Sequence, residues 1–495
     1  MMLDHTRTSQ LQYKQSANIV MITFWSQFAS YGFNSILILF LTRSVLAHGL
    51  GYTGAKAYAF MGVSQATGYL MPILGGYMAD QVLGLRRSIL LGSILLVFSY
   101  LLIMLSGMSI AVHGDTLFLA AYALTPAAGS LLMGTASAMV SRVYHDEDVK
   151  VKVAMTYYYM AINVGALLAT LIAPSLLESS YGPLSVLALT FVGKAIAAVN
   201  FASHYSIYDS VVWGKDTQPL SGRSIAFVIL YLMVIYGFTL FAFSHIFWAS
   251  IIISIGCVMG MLWFVFKTFL LKGIAKTKQL IAVLLIIEAI IFFIVYNQMN
   301  TTLVLFAQHN SDTSLLGFHF SPAHYQLLNP LLIIILGMYL PKFYQKFPRF
   351  SIPYQFASGV VLASFALLLL GCAPAGQDGM VSGVYIALTY VLITLAELWV
   401  SAIGLSMIGL YCDIHILGFA MGAWYLASSL SNIFSGHLAH WVALPTARVS
   451  AIQSLSIYQN YYWLMGLGVL AVSGIMLCFA FRLHQVLKQR GIVLA

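Results

Sequence analysis

Apolar residues fall along this chain in runs of about 20, separated by short polar stretches, from residue 18 to residue 483. A helix rising about 1.5 Å per residue needs that length to cross roughly 30 Å of hydrocarbon. Fourteen such runs centre on 18–42, 55–79, 87–109, 116–142, 152–177, 182–205, 223–243, 246–270, 279–307, 323–345, 351–372, 380–411, 417–443 and 459–483. None has the short alternating pattern of a membrane strand, so a barrel does not fit. The pattern predicts an all-α integral membrane fold with fourteen transmembrane helices. The polar segment MMLDHTRTSQLQYKQSA precedes the first run and no small-residue cleavage site follows it, so that run reads as a retained helix rather than a signal peptide.

Composition agrees, since 61% hydrophobic against 7% charged residues lies far outside the range of a globular chain. The few charges then test the helix count. Nineteen of the 23 Lys and Arg fall in the N-terminal tail and alternate loops, among them Arg86, Arg87, Arg142, Lys150, Lys152 and Arg349. Only Arg43, Lys56 and Arg448 fall on the other side, and Lys194 lies within a span. Excess positive charge marks the cytoplasmic face, so both termini are expected there. The formal charge of +9 therefore reports topology and attraction to the lipid bilayer's anionic headgroups, not nucleic acid.

Cys257, Cys372, Cys412 and Cys478 sit inside or at the ends of spans without paired spacing, which implies no disulfide or metal framework. Walker, dinucleotide and zinc signatures are absent, and no soluble stretch could hold a nucleotide-binding domain. The sequence thus points away from an ATP-driven pump and from an enzyme, with no cofactor expected and a proton gradient as the energy source.

Polar stretches at YDSVVWGKDTQPLSGR (208–223) and KTFLLKGIAKTK (267–278) divide the spans as 6 + 2 + 6. The expected organisation is a cytoplasmic tail over 1–17, a six-helix bundle over 18–206, and a linker with two inserted helices over 207–277. A second six-helix bundle over 278–486 and a tail over 487–495 complete it. Six-helix halves are the repeat unit of transporters that alternate access around a midplane site.

The residues themselves carry a resemblance. Gly75-Gly76-Tyr77-Met78-Ala79-Asp80, continuing to Gly84, Arg86 and Arg87, resembles the major facilitator loop signature in its peptide-transporter form. YYYMAINVG (157–165), NQMNTTLVLFA (297–307), YQLLNP (325–330), ELWVSAIGLSMIGL (397–410) and MGAWYLA (421–427) are similar to segments of the proton-dependent oligopeptide transporters, in matching order from about residue 20 to 440. The resemblance implies the major facilitator superfamily fold in a bacterial cytoplasmic membrane and a chain functional as a monomer. It also implies a substrate cavity lined by Tyr69, Asn163 and Asn329, with Glu397 meeting a substrate amino group. Gln27, Tyr31, Asn34, Asn297, Gln298 and Trp424 complete that set, and the loop bearing Gly76, Asp80, Gly84, Arg86 and Arg87 would gate it.

An ionisable group within a span costs about 3 kcal/mol or more at the bilayer centre, which singles out Lys194, Glu288 and Glu397. Glu397 is the best proton carrier, since a desolvated carboxyl holds a proton more readily than one in water. Glu288 matches no family motif and reads equally as a structural acid or a second carrier. Lys194 reads as structural, its long stem able to reach a carbonyl.

Departures from the family pattern narrow the substrate. The family opens helix 1 with Glu-x-x-Glu-Arg, whereas Thr23, Ser26 and Gln27 stand here. Asn34 replaces a further arginine, Met133 the helix 4 lysine, and Asn297-Gln298 the usual Glu-Gln. A peptide carboxylate would lose charge-assisted bonds, each about twice as strong as neutral ones. The expected function is secondary active transport of a small peptide-like or amine-containing solute, by proton symport with atypical coupling residues. The alternative is a transporter-shaped receptor or scaffold that binds without moving solute.

Topology is open to direct measurement. In a variant freed of native cysteines, Asp312→Cys should react with an impermeant maleimide in right-side-out vesicles while Lys150→Cys stays unlabelled. Equal labelling of both would refute the fourteen-span arrangement.

Overall fold

A computed structural model describes residues 2–144, 148–211, 214–315, 318–347, 350–412, 417–444 and 449–491. Arg349 and Arg448, used in the topology argument, lie outside these residues, as does the side chain of Lys152. The chain is nearly all helix, and each of the fourteen apolar runs is met by helical structure. Ten helical stretches among the described residues are long and apolar enough to cross a membrane. The runs at 18–42, 55–79, 323–345 and 417–443 are helical without reaching that measure.

Two compact units divide the helices. Unit 1, residues 1–51 and 70–245, contains α1 (Met2–Thr42), α3 (Leu85–His113), α4 (Thr116–Leu132), α5 (Thr135–Val143), α6 (Asp148–Leu177), α7 (Pro183–Ser203) and α8 (Gly222–Ser244). Unit 2, residues 52–69 and 246–495, contains α9 (Ile246–Leu270), α10 (Gly273–Tyr296), α11 (Thr302–Asn310), α12 (Leu328–Gly337), α13 (Leu340–Lys346), α14 (Ile352–Gly371), α15 (Gly383–Tyr411), α16 (Leu417–Ala439) and α17 (Ala451–Gln489). The helix α2 (Gly54–Met78) contributes its first part to unit 2 and its remainder to unit 1. Residues 2–17, expected as a tail, are the first turns of α1.

Three apolar runs are interrupted, the tenth of them at residues 338–339 between α12 and α13. Gly134, at φ +84°, turns the chain between α4 and α5, a conformation that side chains with a Cβ rarely adopt. Met133, the residue in place of the family lysine, stands at that break. Between α10 and α11 a 3₁₀ turn, Asn297–Asn300, interrupts the ninth run at the family-like segment. The N-terminus of α17 is closed by a reciprocal capping box between Ser450 and Gln453.

The segment 207–277 does not form a unit of its own. Thr239 on α8 donates to the Ala123 carbonyl at 2.6 Å, and Tyr231 shares a 2.8 Å hydrogen bond with Ser130, fastening α8 to α4. On α9, Gly260 packs against Leu426 of α16. The apolar stretches of α8 and α9 bury only 22% and 28% of their residues, as α17 does at 28%, against 44% to 56% in the other seven. Their outer faces are apolar enough to meet lipid.

Close helix approach rests on small residues, because lipid supplies no hydrophobic drive between helices. In unit 2, Gly62 of α2 faces Gly436 of α16 backbone to backbone. Nearby, Tyr58 pairs with Tyr458 at 3.2 Å and Ser429 donates to the Ala66 carbonyl. In unit 1, a Cβ on Gly75 would come within 1.9 Å of the Ser130 carbonyl, whereas Gly76 has open space.

The neighbouring glycines should therefore respond oppositely to the same change. Gly75→Ala overpacks the contact between α2 and α4, at a cost of about 1–3 kcal/mol, and should lower the melting temperature in detergent by several degrees. Gly76→Ala should leave it unchanged. Equal melting temperatures for the two variants would contradict this packing.

Candidate functional site

Glu397 lies half-buried on α15, one turn after Thr394. Asn329 stands at the start of α12, beside Pro330, which tolerates the first helical turn because it needs no backbone N–H there. The Asn329 amide donates to Glu397 Oε2 at 2.5 Å and to Thr394 Oγ1 at 3.1 Å, so both of its protons are used. The Tyr296 hydroxyl also hydrogen-bonds Glu397, and Tyr69 lies close enough to interact with its charge and with Tyr425. No lysine, arginine or histidine pairs with Glu397 among the described residues.

This cluster unites three residues expected from the sequence, Glu397, Asn329 and Tyr69, with Tyr296, Thr394 and Tyr425, which were not. Thr394 was accessible to inspection, being three residues before Glu397 on the same helical face. Tyr296 directly precedes the family-like Asn297. Glu288 is half-buried on α10, eight residues before Tyr296, and no hydrogen bond among the described residues joins it to Glu397.

Other expected residues of unit 2 serve packing. Gln298 is fully buried and donates to Ser435 Oγ at 2.8 Å and the Ile294 carbonyl at 3.1 Å, while accepting from Thr302 and Tyr461. Those four bonds exhaust its amide. Trp424 is buried against Gly404 and stands edge-on to Phe293 and Phe356. Asn297 differs, because its Nδ2 is buried with no hydrogen-bond partner among the described residues.

In unit 1, Gln27, Tyr31 and Asn34 follow at helical spacing on one face of α1, partly accessible. Asn163 on α6 donates to the Tyr159 carbonyl one turn earlier at 2.9 Å.

The loop signature assembles differently from expectation. Gly84, at φ +85°, opens α3 against the buried carboxylate of Asp216, which a Cβ at Gly84 would meet at 2.2 Å. Asp216 accepts from the Leu85 and Arg86 backbone N–H groups at 3.0 and 3.1 Å and pairs with Arg142 at 3.2 Å. It thus satisfies free donors at the positive end of a helix dipole and neutralises a cation. Arg86 pairs with Asp209 and lies over the Tyr205 ring, and Arg87 donates to the Lys215 carbonyl. Asp80 is exposed and Gly76 lies inside α2. Asp216 was missed because it lies in a stretch read as linker.

A multi-pass helical membrane chain that keeps a half-buried acid and several amides on its spans is a secondary transporter by class. The chain belongs to the POT family, whose model matches residues 86–464. It is 31% identical over 473 residues to the dipeptide and tripeptide permease A of Serratia proteamaculans, covering 94% of this chain and 91% of that one. The protein of the same name from Salmonella typhimurium is 30% identical over 470 residues, covering 94% and 92%. The crystal structure of tetrameric PepTSo2 superposes with a TM-score of 0.83 at 25% identity, over 95% of this chain and 99% of that one. A bacterial homologue of the human drug peptide transporters PepT1 and PepT2 does so at 0.81 and 26% identity, over 96% and 99%. The chain is an integral membrane transporter and not an enzyme.

The two aspartates at the α3 terminus give a paired test. Asp216→Ala takes a buried carboxylate away from Arg142 and leaves two backbone donors at the start of α3 unsatisfied, which should cost about 3–5 kcal/mol. Asp209, with a side chain 68% exposed, should cost no more than about 1 kcal/mol on the same substitution. Melting temperatures in detergent that fall equally for both would refute the capping role.

Proposed function

We propose that the chain imports a small peptide-like or amine-bearing solute by proton symport across a bacterial cytoplasmic membrane. It acts as a monomer of fourteen spans arranged 6 + 2 + 6, with both termini inside, no cofactor, and the proton gradient as its energy source. The relatives named as dipeptide and tripeptide permeases support the substrate class. The observation that carries the reading is Glu397, an acid held by neutral donors with no cation paired to it among the described residues.

Asn329 and Tyr296 supply donors that suit an acceptor-only carboxylate. A substrate ammonium would complete the set, and a proton would satisfy the same oxygens in its absence. The two compete for one group, and that exclusion links substrate movement to proton movement. A substrate amine is thereby provided for. A substrate carboxylate is not, because Gln27, Asn34 and Met133 stand where the family carries basic residues and offer no positive charge. An amine whose carboxylate is masked matches this balance better than a free dipeptide.

Purified protein in proteoliposomes, with and without an inward proton gradient, tests this with dialanine and dialanine amide as probes. Dialanine amide should accumulate under the gradient and compete roughly tenfold better than dialanine, the value of one charge-assisted bond. Glu397→Gln should lower its uptake by about 10–100-fold at an unchanged melting temperature. Equal competition by dialanine would overturn the substrate reading, and gradient-driven uptake by a folded Glu397→Gln protein would remove Glu397 from the mechanism. Binding without accumulation by the wild type would favour a receptor.

A further inference from the structure

Lys194 lies midway along α7 in the interior of unit 1, with 3% of its surface exposed. Its Nζ donates to the Ser26 carbonyl at 2.7 Å, to Ser26 Oγ at 2.9 Å and to Ser30 Oγ at 2.7 Å. These three bonds use every proton of an ammonium. The Tyr100 ring centroid is 5.1 Å from Nζ, and the Tyr100 hydroxyl hydrogen-bonds Ser30 in turn. The long stem does reach a carbonyl, as expected, but two of its three acceptors are hydroxyls on successive turns of α1.

Those hydroxyls distinguish this site from a structural ion pair. A buried charge without a counter-ion is expensive, and a methionine would fill the same space without that cost. A hydroxyl oxygen accepts from an ammonium. Once one proton leaves, the same hydroxyl can rotate and donate to the amine lone pair. The cage therefore accommodates both protonation states with its heavy atoms in place, whereas a carboxylate partner would hold only the cation.

No other acid or base of α1, α3 or α6, the helices packed against α7, lies at the height of this site. On α6, Gly165 packs against the backbone at Phe24 and Phe28, which marks the height of Ser26. The acids and bases of α1, α3 and α6 are Asp4, His5, Arg7 and Lys14, then Arg86, Arg87 and His113, then Asp148, Lys150 and Lys152. All lie about a dozen or more residues from Ser26, Tyr100 or Gly165, roughly 18 Å of helix rise. The remaining titratable groups on these helices are the phenols Tyr13 and Tyr31 of α1, Tyr100 of α3, and Tyr157, Tyr158 and Tyr159 of α6. Of these, Tyr100 faces the ammonium, and Tyr122 of α4 stands behind it.

We propose that Lys194 is a second proton-coupling residue, whose exchange of one proton between ammonium and amine tightens or loosens the tie between α7 and α1. The helix it grips carries Gln27, Tyr31 and Asn34. Nζ gains or loses one N–H bond, the proton coming from water on the acidic side and leaving to water on the other, and no other covalent bond changes. Charge-assisted bonds are about twice as strong as neutral ones, so all three contacts to α1 weaken together when the proton leaves. This inference rests on the proton-coupled reading above.

The test uses Lys194→Met, which cannot titrate, and Lys194→Arg, which cannot lose its charge. Melting temperature between about pH 5.5 and pH 9.5 needs no substrate. Wild type and Glu397→Gln should share a pH-dependent step that both Lys194 variants lack. Superimposable profiles for wild type and Lys194→Met would overturn the proposal. In proteoliposomes, Lys194→Arg should retain counterflow of dialanine amide at equal pH within about twofold, while gradient-driven accumulation falls at least about tenfold. Full gradient-driven accumulation in either folded variant would also overturn it. A wild type that accumulates nothing under a gradient defeats the transport reading alone, and the melting profiles then decide the protonation of Lys194.

Discussion

A polar group inside hydrocarbon must find a partner in the protein, because no water is there to take its place, and each failure costs several kcal/mol. Most of the architecture follows from that. Many serine and threonine hydroxyls on the spans bond carbonyls one turn back or on a neighbouring helix, as Thr239 does to Ala123 and Ser429 to Ala66. Gln298 uses its whole amide on four partners and becomes a fixed point of unit 2. Such bonds lock helices that lipid would otherwise leave free to slide. Glu397 and Lys194 stand apart, because each is satisfied by neutral groups alone and each could bond differently after gaining or losing a proton.

Much of the fold was legible because spanning a bilayer demands a length that hydropathy displays directly. Its interruptions were not. Gly134 and the turn at Asn297–Asn300 lie inside apolar runs, where a single left-handed glycine or a short 3₁₀ turn leaves the average unchanged. The family-like segments led to Glu397, Asn329 and Tyr69, yet position in a motif does not reveal which atoms remain available. Gln298 and Trp424 carry the right identity and are consumed by packing. Asp216 and its partners lie 74 to 131 positions apart in sequence, so no local pattern connects them. The contact of Lys194 with Ser26 required the packing of α7 on α1, and it falls on one of the positions where a family charge is missing.

That coincidence gives the departures in helix 1 a physical context. A carboxylate at residue 26 would sit directly against an ammonium and hold it charged. Serine leaves the cation its hydrogen bonds while removing the opposing charge. The losses along helix 1 and the buried lysine are thus compatible features of one environment, in which neutral, rotatable donors and acceptors replace fixed ion pairs. The candidate cluster of unit 2 has the same character, built from an amide, phenols and a hydroxyl around its single acid.

The segment between α7 and α8 is where a chain of two halves is most readily cut, fused or recombined. Here Asp216, in the second half of that segment, belongs to the first half of the chain, since it closes the start of α3 and pairs with Arg142. A gene divided at residue 207 would give the leading fragment an uncapped helix and take a buried carboxylate away from Arg142. Divided after Thr217, the same fragment would carry its own stopper. The seam between the halves, for recombination between relatives as much as for a designed fusion, therefore lies beyond the linker's acid, not at the last turn of α7.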